Sequence, residues 1–243
     1  MGAGGDPARA CKTRYAGRLP VSLSGRRILI TSGPTRAPLD AVRFLSNKST
    51  GRLGTLIAEA VVQAGADVTF VYGRVSETPT IRGGQRSHLR LLPVETVHDL
   101  IVVFRKELPT GYDAVIHAMA VLDFEPAEIR EEKTSSDLSE WVIRLTPTPK
   151  AAPLVKTLAP KTLFVGFKLE VGKGKDALIE IARAWADKTG ADLVVANDLR
   201  DIEGGLHIGY LVRPNGAVDG VAQGKEAIAR MLVDFLSRNL DGR

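Results

Sequence analysis

The stretch from residue 27 to residue 72 constrains this chain more than any other part of it. Arg27–Ser32 (RILITS) is a short apolar run rich in branched residues, stopped by Gly33-Pro34, which predicts a buried strand followed by a loop. Residues 51–64 (GRLGTLIAEAVVQA) place Leu53, Leu56, Ile57, Ala60 and Val61 on one helical face. Gly65 then ends the helix where a left-handed residue is needed. Asp67–Tyr72 (DVTFVY) predicts a second strand. Strand, helix and strand in this order make a crossover unit, and a crossover implies parallel pairing.

The alternation continues. Residues 95–108 predict a helix, Asp113–His117 a strand, 141–146 a strand, 150–159 a helix, 162–166 a strand, 175–189 a helix and 192–195 a strand. A charged stretch at 128–140 interrupts it, too polar for core and too long for a turn, and reads as a mobile flap. Residues 206–213 with Pro214-Asn215-Gly216 predict a late hairpin, and 224–239 a final helix. The expected fold class is α/β: a doubly wound, mostly parallel sheet with Rossmann-like crossovers and a late antiparallel hairpin. Residues 1–22, Gly/Arg-rich and without a period, read as a disordered basic lead, leaving 23–243 as a single domain.

Charge and composition narrow the function class. Residues 1–27 hold six Arg and Lys against Asp6 alone and so carry the whole net charge of +5. The remainder sums to zero, which argues against a nucleic-acid-binding surface on the folded body. Cys11 is the one cysteine and can form no internal disulfide, in keeping with a reducing compartment. No apolar run has the length of a membrane helix, and the N-terminus lacks an apolar signal core, so the expected location is cytoplasmic with no membrane partner.

In open α/β sheets, ligands bind beyond the carboxyl ends of the strands. After the first strand stand Gly33, Pro34, Thr35 and Arg36, offering a flexible backbone, a hydroxyl and a guanidinium. Ahead of the first helix stand Ser46, Asn47, Lys48, Ser49, Thr50 and Gly51. Small polar residues and glycine at a helix N-terminus leave free amides that attract phosphate, although Ser and Thr there also act as plain caps. After the third strand run His117-Ala118-Met119-Ala120-Val121-Leu122-Asp123, in which Asp123 suits a ribose, a base or a divalent cation, or simply starts a turn. His117 at the strand end reads as a satisfied polar residue rather than a catalyst. Gly166-Phe167-Lys168 sets an aromatic face beside a cation, suiting a base and a phosphate, or a core ring with a surface lysine. A nicotinamide oxidoreductase is the competing class. The second strand ends Val71-Tyr72-Gly73 without a ribose-binding acid, a long insertion separates Ile30 from Gly51, and no Tyr-x-x-x-Lys pair occurs.

The order Thr31-Ser32-Gly33-Pro34-Thr35-Arg36, Leu39-Asp40, Val42-Arg43-Phe44, then Ser46-Asn47-x-Ser49-Thr50-Gly51-x-x-Gly54, is similar to the phosphopantothenoylcysteine synthetase family. Ala118-x-Ala120-Val121-x-Asp123-Phe124-x-Pro126, Gly166-Phe167-Lys168-x-Glu170 and Val195-Ala196-Asn197-Asp198 follow in the family's order. The resemblance implies a ligase of coenzyme A biosynthesis. It activates the carboxylate of 4′-phosphopantothenate as an acyl-nucleotide, with CTP or ATP as co-substrate and Mg²⁺ as cofactor, then joins it to cysteine. It implies Asn47 and Lys133 as catalytic residues, with Asn47 holding the acyl intermediate. Gly33, Pro34, Thr35, Arg36, Ser46, Ser49, Thr50 and Gly51 would cradle phosphate. Ala118, Ala120 and Asp123 would hold the nucleoside, Phe167 the base and Lys168 the phosphates, with Asp123 as the Mg²⁺ ligand. It also implies a homodimer with the site near the subunit boundary. The family flap carries Lys-x-Lys-Lys where this chain reads Lys133-Thr134-Ser135-Ser136, which removes two charges from the neighbourhood of a triphosphate; Lys48, Arg52 and Arg130 are the candidate substitutes. Met119 and Leu122 replace smaller residues and narrow the nucleoside slot, and 206–213 lacks the family's Phe-Gly-Ser-Asp. A divergent homologue that binds a nucleotide or phosphopantothenate without turnover is therefore the alternative.

Overall fold

The computed structural model describes residues 22–241, so the basic lead over residues 1–21 lies outside the described residues. An eight-stranded sheet runs through the molecule. Its strands are β1 (Arg27–Ser32), β4 (Asp67–Gly73), β5 (Leu89–Val94), β6 (Ala114–His117), β9 (Leu163–Glu170), β10 (Leu193–Asp198), β11 (Ile208–Val212) and β12 (Val218–Gln223). They lie in the order β12-β11-β10-β9-β6-β1-β4-β5, all parallel except the β10–β11 and β11–β12 pairings. Helices α1 (Arg52–Gln63) and α6 (Lys225–Leu240) cover one face. Helices α2 (Val97–Glu107), α3 (Ala152–Leu158) and α4 (Lys175–Thr189) cover the other. A short α5 (Leu199–Glu203) follows β10.

The layering follows from the sequence pattern. β1 and β10 are buried on both faces and read as continuous apolar runs, as strands between two helical layers must. The chain leaves β1 to one side, through α1 to β4, and later returns through α2 to β6 on the other side. The order reverses between β1 and β6, which makes the carboxyl ends of these two strands the switch point where a crevice opens.

The observed architecture departs from the sequence reading in three places. The strand expected at 141–146 does not join the central sheet. Instead β8 (Leu145–Pro147) pairs antiparallel with β7 (Phe124–Pro126), and Val142, Ile143 and Leu145 are exposed. The insertion after β1 is not a simple loop: β2 (Arg36–Pro38) and β3 (Phe44–Ser46) form a second antiparallel hairpin. The strand β5 carries Arg90 and Pro93, which hide it from an apolar count; proline is tolerated because β5 is an edge strand.

Candidate active site at the switch point

The loops after β1 and β6 are laced together above the sheet. Thr35 N donates to Ala120 O at 3.2 Å and Ala120 N to Gly33 O at 2.8 Å, with Pro34 and Ala120 forming a parallel bridge. The Thr35 hydroxyl is buried and accepts from Leu122 N at 2.9 Å, so it holds this junction together instead of facing outward. Asn47 reaches across from the base of the β2–β3 hairpin: its Nδ2 donates to Ala120 O at 3.1 Å and Val121 O at 3.3 Å. Asn47 itself is exposed, as is Lys48 beside it. Ser46 Oγ donates to Thr35 O at 3.1 Å, tying the hairpin's two ends.

The two segments expected to meet do meet. The N-cap of α1 is Gly51, at φ 81°, with no side-chain cap. Ser49 Oγ and Thr50 Oγ1 accept from the amides of Gly51 and Arg52 at 3.3 Å each, bending the loop without capping the helix. Gly51 lies against Gly33, whose Cα is 3.3 Å from where a Cβ on Gly51 would be. A Cβ on Gly33 would collide with Ser76 Oγ at 1.6 Å, and one on Gly54 with Ser32 Oγ at 2.3 Å. These glycines therefore admit the protein's own serines on those sides. Ser76 carries no sequence signal of its own: it lies three residues past the end of β4, and only the fold brings it to Gly33.

Other candidate residues are placed with partners. Arg36 lies over the Phe44 ring at 3.8 Å. Ala118 N donates to Thr31 O at 3.1 Å, and Met119 and Leu122 turn their bulk into the core, so neither narrows the outer slot. His117 is buried, hydrogen-bonded through Nδ1 to Thr31 Oγ1 at 2.7 Å and set edge-on to Phe104; burial pushes its pKa down to about 4. It is a satisfied core residue, as the sequence reading held. Phe167 is half-buried against the α1/α6 core and Lys168 pairs with Glu170 at 3.1 Å. Arg52 pairs with Glu77 at 3.2 Å, and Arg130 stands 5.5 Å over Trp141.

The flap is anchored. Asp40, at the tip of the β2–β3 hairpin, accepts from the amides of Val42, Arg43 and Thr134 and from the Arg43 guanidinium. Burial alone would raise its carboxyl, but these donors outweigh that and hold it well below the usual carboxylate range. Arg43 also donates to Thr134 O at 2.6 Å and stands 4.5 Å over Trp141. Lys133 is exposed next to this clamp, at the hairpin's tip, whereas Asn47 follows its base, about 10 Å of strand away. Among the described residues no hydrogen bond or ion pair joins the two.

Asp123 is exposed and ion-paired with Lys150 Nζ. Among the described residues no group of three or more His, Cys, Asp or Glu is placed to hold a metal. A lone carboxylate already matched by a lysine does not fit a resident Mg²⁺ site.

These features define a class: a doubly wound α/β domain whose β1 and β6 loops are bridged by an asparagine and backed by an uncapped helix N-terminus. The chain belongs to the DNA/pantothenate metabolism flavoprotein C-terminal domain family, which it matches over residues 23–240. It is 38% identical over 182 residues to the coenzyme A biosynthesis bifunctional protein CoaBC of Thermococcus kodakarensis, covering 74% of this chain and 43% of that protein. It is 31% identical over 235 residues to the CoaBC protein of Mycobacterium bovis, covering 92% of this chain and 55% of that one. The chain thus spans about half the length of these curated relatives. The crystal structure of the DNA/pantothenate metabolism flavoprotein from Streptococcus pneumoniae superposes with a TM-score of 0.79 at 30% identity, covering 88% of this chain and 99% of that one. Among the described residues, no helix is long and apolar enough to cross a membrane.

Proposed function

We propose that this chain is a phosphopantothenate–cysteine ligase. A carboxylate resists amine attack because oxide is a poor leaving group. Exchange of pyrophosphate on CTP or ATP for the carboxylate of 4′-phosphopantothenate gives an acyl-nucleotide and free pyrophosphate. The cysteine amine then attacks the acyl carbon, the amide forms, one proton leaves the nitrogen, and the nucleoside monophosphate departs. The observation that carries this reading is Asn47, exposed yet fixed by two hydrogen bonds across the crevice at the switch point. In this reading it holds the acyl group while the amides at the start of α1 meet phosphate. In this reading Ala118, Ala120 and Phe167 supply surface for the nucleoside and Lys168, beside Glu170, a positive charge, while Lys133 stands at the far end of the β2–β3 hairpin. Mg²⁺ enters this reading as the counter-ion of the nucleotide, not as a resident of the protein.

The working unit in this reading is a homodimer. Phe44 and Phe124 of the two small hairpins, with Ile129, Val142 and Leu145, are exposed apolar residues outside both helical layers. The decisive experiment is a pyrophosphate-release panel over CTP, ATP, GTP and UTP. Release is expected with CTP or ATP and to depend on 4′-phosphopantothenate, with amide product only when cysteine is present. Binding of these ligands with release at background for all four nucleotides would overturn the ligase and leave the non-catalytic homologue.

A further inference from the structure

The phosphate cradle contains a hydroxyl that the ligase reading does not use. Ser76 lies in the loop after β4, its amide donating to Gly73 O at 2.8 Å. Its Oγ is buried and has no hydrogen-bond partner among the described residues. It occupies the space of a Gly33 side chain, and its Cβ lies 2.9 Å from where a Cβ on Gly51 would be. Three segments therefore meet at this one residue: the loop after β1, the N-cap of α1 and the loop after β4. Ser32, in the same cluster, makes the contrast clear, because its Oγ is already engaged with Gly51 O at 2.9 Å.

An unpaired buried hydroxyl is destabilising, and filling the space beside Gly33 does not by itself require a polar atom. We infer that Ser76 is a phosphate-binding residue of this site, its hydroxyl turning about χ1 from its position on Gly33 to donate to a phosphate oxygen at the start of α1. Serine has three staggered χ1 wells, and Ser76 as a whole is only partly buried, so a change of χ1 well is the movement this role asks of it. A hydroxyl donating to an anionic oxygen is among the stronger hydrogen bonds a protein makes. The inference rests on the ligase reading insofar as the phosphate belongs to the nucleotide or to 4′-phosphopantothenate.

The test is calorimetry and thermal unfolding on the full chain, comparing wild type with Ser76→Ala and with Ser76→Cys, which keeps the shape but donates weakly. CTP, ATP, 4′-phosphopantothenate and inorganic pyrophosphate are titrated separately. Ser76→Ala is expected to melt at or above the wild-type temperature while its Kd for one phosphate ligand rises about tenfold, with Ser76→Cys in between. The affected arm, nucleotide with pyrophosphate or phosphopantothenate, identifies the source of the phosphate. A folded Ser76→Ala with every Kd within twofold of wild type overturns the role of Ser76 and leaves the ligase reading standing. Wild type binding none of the four removes both.

Discussion

At the scale of single residues, Asn47 and His117 set an exposed polar group, to which the proposed function gives a role, against a buried one that is structural. Asn47 is exposed, so its replacement disturbs little packing; Asn47→Asp puts an anion against the carbonyls of Ala120 and Val121 and removes the donor that spans the crevice. Pyrophosphate release is expected to fall at least tenfold, about 1.4 kcal/mol of barrier, with the melting temperature nearly unchanged. Unaltered turnover would show that Asn47 takes no part in the chemistry. His117 behaves in the opposite way. Its native pKa of about 4 lies below the ordinary value of 6.5. Between those values the unfolded chain takes up a proton that the folded chain refuses, so this contribution to stability is full above pH 6.5 and is lost as pH falls toward 4. From pH 7 to pH 5 the loss from this residue is about 2 kcal/mol. Urea midpoints at the two pH values should show a smaller drop in His117→Gln than in wild type; equal drops would mean that the imidazole is not held neutral by burial.

At the scale of elements, Gly166 shows how tightly the sheet and its helical layer are matched. A Cβ there would lie 2.1 Å from the Trp185 ring on α4, a group with no flexible end to move aside. Gly166→Ala is expected to cost about 1–3 kcal/mol in urea unfolding. In a double-mutant cycle with Trp185→Leu the cost should largely vanish; full additivity would show that the ring is not what excludes the methyl. The β1–α1–β4 unit was legible because Ile28–Ile30 and the Leu53, Ile57 and Val61 face each answer to a single period. The late hairpin was legible because Pro214-Asn215-Gly216 marks its turn. The accessory hairpins were not, because their strands are three residues long and Arg36, Pro38 and Pro126 obscure any alternation. The apolar Val142 and Ile143 imitated a core strand while facing solvent. Within the site, Asn47 was singled out by the family resemblance, whereas the Gly33/Gly51 junction could be read from residue type at a strand end and a helix start. Ser76 and the Asp40–Arg43–Thr134 clamp could not, because each depends on contacts between segments distant in sequence.

At the scale of the molecule, the two hairpins pose a problem that a single chain does not solve. Val142 is 75% exposed, Ile129 59%, Phe124 50% and Phe44 47%, all on segments that lie beside the crevice and not over the main core. Scattered apolar residues on a surface mean little, but several on adjoining segments are the kind of surface that the proposed homodimer would cover. The same segments lead into the site: β3 runs directly into Asn47, and β7 begins one residue after Asp123. An interface formed there would therefore order the crevice as well as hide the hairpins. Sedimentation equilibrium at tens of micromolar is expected to give a dimer, and the pair Phe124→Glu with Val142→Glu a monomer. Because neither side chain is buried within the chain, the variant should keep its fold by circular dichroism, so that any fall in pyrophosphate release reports on assembly. A wild-type chain that sediments as a monomer would refute the dimer outright. A monomeric variant with undiminished turnover would show instead that each crevice is complete without its neighbour.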